Sequence, residues 1–179
     1  RTTLFSFGLA TAPLLARAQA TKSPGEKLVV GVVGLGRGFD HVKALQQIAN
    51  VEVSYLPDID ETRIAKAQKA AFATADKPPR AAKDFRRILD DKDVDAIFIA
   101  TPNHWHAPAA ILGCSAGKHV YVEKPGSHNA REGELLVAAA RKNKRVVQMG
   151  NQRRSWPGII EAVDKLRAGV IGEVRSART

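Results

Sequence analysis

This sequence has little of several things that would assign it quickly. It holds one cysteine, Cys114, in 179 residues, so no internal disulfide and no cysteine-based metal site is possible. Cys114 falls in an Ala/Leu/Ile-rich stretch and reads as packing. Aromatic residues make up only 6%. No internal repeat, low-complexity tract or apolar run of membrane-spanning length is present. Net charge is +10, from 28 Lys and Arg against 18 Asp and Glu. The cations are spread through helical segments among acids, and no basic block is interleaved with aromatics. The charge therefore reads as solvated helix faces rather than a nucleic-acid surface. Acids are missing from residues 1–20 altogether. There a mildly apolar run from Leu4 to Leu15, broken by Gly8 and Pro13, precedes the small-x-small triplet Ala18-Gln19-Ala20. Residues 1–20 are expected to be the end of a twin-arginine-type signal peptide and 21–27 a polar linker, giving a periplasmic or otherwise exported protein. As a plain N-terminal extension the same segment would leave the protein cytoplasmic. Both ends read as cut: the chain opens without methionine, and residues 173–179 look like a strand just begun.

What is present is a strand, a glycine turn and a helix. Leu28 to Val33 is a short apolar strand, and Gly34-Leu35-Gly36-Arg37-Gly38 follows it. Val42, Leu45 and Ile48 then repeat at helical spacing, predicting a helix over 39–49. Backbone amides at such a helix start, with no side chains in the way, make a phosphate site. The match to G-x-G-x-x-G is imperfect, because Phe39 stands where the third glycine belongs and Gly38 comes one place early. A second strand, 51–56, ends at Pro57-Asp58. Asp58 lies 22 residues after Gly36, near the separation of about 20 expected for the acid that holds an adenosine ribose. A carboxylate there favours NAD and repels the 2′-phosphate of NADP. The alternative for Asp58 is a turn or cap residue, although Asp60 suits the cap of the next helix better.

Strand and helix patterns then alternate. Helices are expected at 61–74, 84–89, 107–116, 130–143 and 157–168, strands at 94–100, 119–122 and 145–149, and a loop at 75–80. Repeated strand–helix units with short connections imply an α/β fold with a doubly wound parallel sheet. The dinucleotide-binding domain should span 28–150, with 151–179 the junction and start of a second α/β domain. The chemically interesting clusters all fall just past strand ends: 34–38, Asp58, 103–106, Glu123-Lys124 and Asn151-Gln152. Open parallel sheets bind ligands along that edge.

Lys124 is the candidate catalytic residue. It follows a strand end, stands between Glu123 and Pro125, and beside a nicotinamide its pKa should drop, which suits acid/base work. Glu123 would bond a ribose hydroxyl or orient the lysine, and the Lys124-Pro125 bond is a candidate for cis geometry. A surface ion pair is the other reading of that cluster. Thr101 and Asn103 could contact the cofactor's phosphate or ribose, and Trp105 and His106 could wall its nicotinamide end. Alternatively Asn103 caps the helix that follows, with Pro108 in its first turn. Arg37 would lie over the adenine, reach a phosphate, or face solvent. Gln152 is expected to point into the crevice, with Arg153 and Arg154 at the domain junction. His104 and His106 diverge across a turn into a helix and lack a third ligand cluster, so no metal is expected.

Together Gly34-Leu35-Gly36-Arg37-Gly38, Thr101-Pro102-Asn103-His104-Trp105-His106, Gly117 to Pro125 with its Glu-Lys-Pro end, and Gly150-Asn151-Gln152-Arg153-Arg154 resemble the Gfo/Idh/MocA oxidoreductases from about Leu28 onward. The resemblance implies a Rossmann domain followed by an α/β domain with a large open sheet. It implies bound NAD or, less readily, NADP, and a sugar or polyol as substrate. It also assigns Lys124 as the active-site lysine, Glu123 as a cofactor-ribose contact, and Asn103 and His106 to the nicotinamide end. Remaining catalytic groups would lie in the second domain, through which the protein would also form homo-oligomers, so this stretch alone is expected to be inactive. An exported member would hold its nucleotide tightly and recycle it. The outcome is then sugar oxidoreduction, or glycoside cleavage following transient oxidation at C3. A carbohydrate-binding protein that keeps its nucleotide only as structure is the non-enzymatic alternative.

Overall fold

The computed structural model describes residues 27–178. The expected signal peptide and all of the linker before Lys27 lie outside the described residues. Elements run in the order β1 (Leu28–Val33), α1 (Gly38–Leu45), β2 (Val51–Pro57), α2 (Glu61–Phe72), β3 (Arg80–Ala82), α3 (Arg86–Asp90) and β4 (Ala96–Ile99). There follow a 3-10 turn (Asn103–Trp105), α4 (His106–Ser115), β5 (His119–Val122), α5 (Ala130–Lys142), β6 (Val147–Met149), a second 3-10 turn (Gln152–Ser155) and α6 (Pro157–Arg167). The six strands form one sheet in the order β3-β2-β1-β4-β5-β6, and every pairing is parallel. This is the doubly wound order that splits about β1, sending successive connections to opposite faces.

Two apolar clusters sandwich the sheet, as a sheet covered on both faces requires. On one side Val30, Val32, Val53 and Leu56 meet Val42 and Leu45 of α1 and Ile64 and Ala67 of α2. On the other, Val33, Ile97, Ile99, Val120 and Val122 meet Ile88, Ala109, Ala110, Cys114 and Leu136. Each fully buried Val, Ile or Leu contributes roughly 1.5–3 kcal/mol. Gly31 leaves room for this packing, since a Cβ there would lie 2.7 Å from Ile88 Cδ1. At the edge away from the glycine turn, the buried Lys118 ammonium donates to the carbonyls of Asp91 (2.5 Å) and Val94 (3.0 Å). Burial pushes its pKa down.

The structure differs from the sequence expectation in four places. Helix α1 stops at Leu45 rather than near 49, and Ile48 is exposed. Residues 46–50 make the turn that starts β2 in register, with the Leu28 amide bonded to the Asn50 carbonyl at 2.7 Å. The 75–80 loop leads into an extra edge strand, β3, which pairs with Tyr55 to Pro57. Residues 173–178 are irregular rather than a strand, because no neighbouring strand among the described residues offers them a ladder. Finally, the alternative role of Asn103 as a cap does not form: α4 has no side-chain cap, and a 3-10 turn starting at Asn103 leads into it. The expected cap at Asp60 does form, accepting from the Thr62 amide at 2.9 Å. Among the described residues, no helix is long and apolar enough to cross a membrane.

Candidate functional site

Four backbone bonds line up the loops at the C-terminal edge of the sheet. The Gly34 amide donates to Pro57 (2.9 Å), Ala100 to Val33 (2.8 Å), Glu123 to Ile99 (2.9 Å) and Gly150 to Val122 (2.8 Å). In each case the first residue past one strand holds the last carbonyl of its neighbour. The clusters singled out from sequence are therefore brought to one edge, at fixed offsets.

Gly34 has φ +85°, and a Cβ on it would lie 2.8 Å from the Ala100 carbonyl oxygen. Only glycine is comfortable with both demands. Gly38 opens α1 and is buried, and its Cβ would meet Val32 Cγ1 at 3.0 Å. It thus performs the close helix–strand packing that the third glycine of the motif provides, one residue early. The first amides of α1 have no intrahelical acceptor and sit at the positive end of its dipole. Arg37 pairs with Asp40 at 3.3 Å, and both side chains are well exposed, so of its three expected positions the structure gives the solvent-facing one. A cation that sequence reasoning missed, Arg63 of α2, lies over the turn instead. A Cβ on Gly36 would stand 3.3 Å from its Nη1.

Asp58 is 8% exposed, and both its carboxylate oxygens are engaged. Oδ2 accepts from the Leu35 amide at 2.6 Å and Oδ1 from the Asp60 amide at 2.9 Å. It ties the glycine turn to the end of β2 and makes the turn bond that sequence offered as its alternative role. Each oxygen keeps a further lone pair with which to accept a ribose hydroxyl.

His106 is 1% exposed and bridges two site segments. Its Nδ1 is 2.6 Å from the Pro125 carbonyl oxygen and its Nε2 is 2.8 Å from that of Thr101. Rather than walling a nicotinamide, it stands behind the surface and clamps the segment after β4 to the segment after β5. Beside it the Thr101 hydroxyl is buried with no hydrogen-bond partner. Asn103, Trp105 and Gln152 are exposed. Trp105 rests edge-on against Phe85 at 6.3 Å, and Gln152 has φ 41°.

Lys124 is exposed, and the Lys124-Pro125 peptide bond is cis. The described residues do not exclude water from its ammonium. The neighbouring Glu123 is buried and 2.8 Å from His41 Nε2. Burial, and secondarily the Glu123 charge, pushes the nearby Tyr121 phenol up. His41 is the second residue the sequence reading missed. Its signal was a polar side chain on the face of α1 that carries Gly38, Val42 and Leu45. Among the described residues, no group of three or more His, Cys, Asp or Glu side chains is placed to hold a metal ion.

Comparisons with known proteins agree with this geometry. A family model described as an oxidoreductase family with an NAD-binding Rossmann fold matches residues 28–151. An inositol 2-dehydrogenase of Salmonella paratyphi B is 34% identical over 152 residues, covering 82% of this chain and 43% of that protein. A glycosyl hydrolase family 109 protein of Shewanella sp. MR-4 is 31% identical over 160 residues, covering 85% of this chain and 34% of that protein. A solved NAD-binding protein from Listeria innocua superposes with a TM-score of 0.71 at 30% identity, over 83% of this chain and 42% of its own. The chain thus spans less than half the length of these relatives.

Proposed function

The chain belongs to the Gfo/Idh/MocA oxidoreductase family and carries its NAD-binding Rossmann domain, and from that premise we propose that the whole protein oxidises or reduces a sugar or polyol, with Lys124 as its acid/base group. The observation that carries the reading is the convergence of the glycine turn, Asp58 and the Glu123-Lys124 turn on one sheet edge. The residues suit a dinucleotide: a turn packed so tightly on Ala100 and Val32 that only glycine fits at 34 and 38, the Gly38 and Phe39 amides at the start of α1, and the buried, unpaired Thr101 hydroxyl. When bound, the nicotinamide supplies hydride transfer, and the chain supplies the rest. Gly34, Gly36 and Gly38 admit the pyrophosphate, and Asp58 accepts from the adenosine ribose and selects NAD. The open oxygen of Glu123 accepts from the second ribose. Lys124 exchanges a proton with the substrate hydroxyl or carbonyl while its charge favours the oxyanion. Asn103, Trp105 and Gln152, exposed past the ends of β4 and β6, are open to the cofactor or substrate, and a second domain completes the enclosure and the oligomer.

The glycosyl hydrolase relative favours a second reading on the same scaffold, net glycoside cleavage. Incubating the full-length protein with myo-inositol, free sugars and chromogenic nitrophenyl glycosides separates the two, since only the second releases nitrophenol, whereas the first yields an oxidised or reduced sugar or polyol with its glycosidic bonds intact. In either case Lys124→Ala should abolish turnover and leave NAD affinity within about threefold of wild type. An active Lys124→Ala protein would overturn the assignment. We further propose that residues 1–20 direct export, which fractionation of cells expressing the native gene would test.

A further inference from the structure

We propose that His41 is a positioning residue that locks Glu123 to the nucleotide-binding helix, so that the glycine turn and the lysine turn present themselves to the dinucleotide as one body. The proposal rests on the reading of Glu123 as a ribose contact.

His41 lies in the second turn of α1, just inside the amides that open the helix. Its Nε2 is 2.8 Å from Glu123 Oε1, across 82 residues of sequence. Three rings hold that geometry. The imidazole meets Tyr121 edge-on at 5.3 Å and Phe98 at 6.0 Å, and Phe98 stacks on Tyr121 at 5.1 Å. The side chains of His41 and Glu123 are 20% and 8% exposed, so neither samples many rotamers. With Nε2 carrying the proton, the imidazole donates to Oε1. Glu123 Oε2 has no hydrogen-bond partner among the described residues. The pair thus presents one oriented acceptor oxygen beside Lys124.

A purely structural contact at this place would be simpler. Two apolar side chains would fill the space between α1 and β5 without desolvating an imidazole and one carboxylate oxygen. The arrangement makes sense if the open oxygen is used.

The test is a double-mutant cycle on NAD affinity, measured by titration calorimetry on the full-length protein. A hydrogen bond to a charged group is worth on the order of a tenfold change in binding. His41→Ala should weaken NAD binding about tenfold in the wild-type background and less than twofold in the Glu123→Ala background. His41→Gln, whose amide N–H can reach the same oxygen, should restore affinity to within about threefold of wild type, whereas the shorter His41→Asn should not. If His41→Ala folds poorly, the Gln and Asn pair carries the test alone. Equal losses in both backgrounds, or no loss in His41→Ala, would overturn the positioning role while leaving the ribose reading intact. Wild-type NAD affinity in Glu123→Ala would remove the ribose reading and the positioning role with it.

Discussion

Replacing Asp58 with asparagine keeps the side chain's size and removes one acceptor. In the wild type Oδ2 takes the Leu35 amide at 2.6 Å and Oδ1 takes the Asp60 amide at 2.9 Å, in a side chain only 8% exposed. An asparagine has one oxygen. Whichever way it turns, its NH₂ group faces a backbone N–H, donor against donor. One charge-assisted bond is lost, about 1.5–3 kcal/mol, and the surviving one becomes neutral, so the total is about 2–4 kcal/mol. For a chain of this size that lowers the melting temperature by roughly 4–16 °C. Urea and thermal unfolding of the cofactor-free protein read the anchoring role directly. Titrations with NAD and NADP read the selecting role, because the neutral side chain no longer repels a 2′-phosphate. Asp58→Asn should unfold earlier and discriminate less between the two nucleotides. Stability unchanged within about 0.5 kcal/mol would refute the anchor. Lost stability with an unaltered NAD preference would leave Asp58 an anchor and nothing more.

Two further outcomes are expected. The His119 Nδ1 accepts from the Val146 amide at 3.0 Å, and burial, helped by Arg145, lowers its pKa. The folded state therefore binds this proton less readily than the unfolded chain, whose imidazole titrates near 6.5. The stability it confers is present above pH 6.5 and is lost as pH falls below it. Denaturant midpoints measured from pH 7.5 down to 5 should decline, and less steeply in His119→Gln. His106→Leu removes the one N–H that a neutral imidazole can donate to the Thr101 or Pro125 carbonyl in a buried setting, which should cost about 1–3 kcal/mol and show in thermal unfolding of the cofactor-free protein.

The parallel sheet was legible because its strands are apolar on both faces and end in glycine, aspartate or polar runs. Val94 to Ala100 is such a segment. Less legible was whatever depends on a neighbour rather than on the segment itself. Arg80-Ala81-Ala82 has no strand pattern, and it becomes β3 because Tyr55 to Pro57 offers an open edge. The glycine motif looked defective at Phe39, and only the packing of Gly38 on Val32 and Ala100 shows that the missing role is filled one residue earlier. His41 and Arg63 sit in helices with no motif around them, and their placement depends on the tertiary approach of α1 to β5 and of α2 to the glycine turn. His106 was identified as a site residue from its place in the chain. Its orientation, inward to two carbonyls, follows from the 3-10 turn that leads into α4.

The buried polar groups at the two ends of the sheet separate structural from functional roles by how completely they are satisfied. Lys118, at the far end, directs its ammonium at two backbone carbonyls. It closes off acceptors that burial would otherwise strand at about 1–3 kcal/mol each. The C-terminal edge is mixed: Asp58 has both oxygens engaged and His106 meets two carbonyls, but two groups are not fully served. There Thr101 has a buried hydroxyl with no partner, and Glu123 has one oxygen held by His41 and another open. The Thr101 arrangement is not what stability alone would select, since serving a buried hydroxyl, or replacing it with an apolar side chain, is the cheaper solution. Incomplete satisfaction at the edge where the glycine turn opens is therefore the physical mark of a surface that awaits a polar ligand. It makes Thr101 and Glu123 stronger witnesses for the dinucleotide than the glycine motif, which many tight turns imitate.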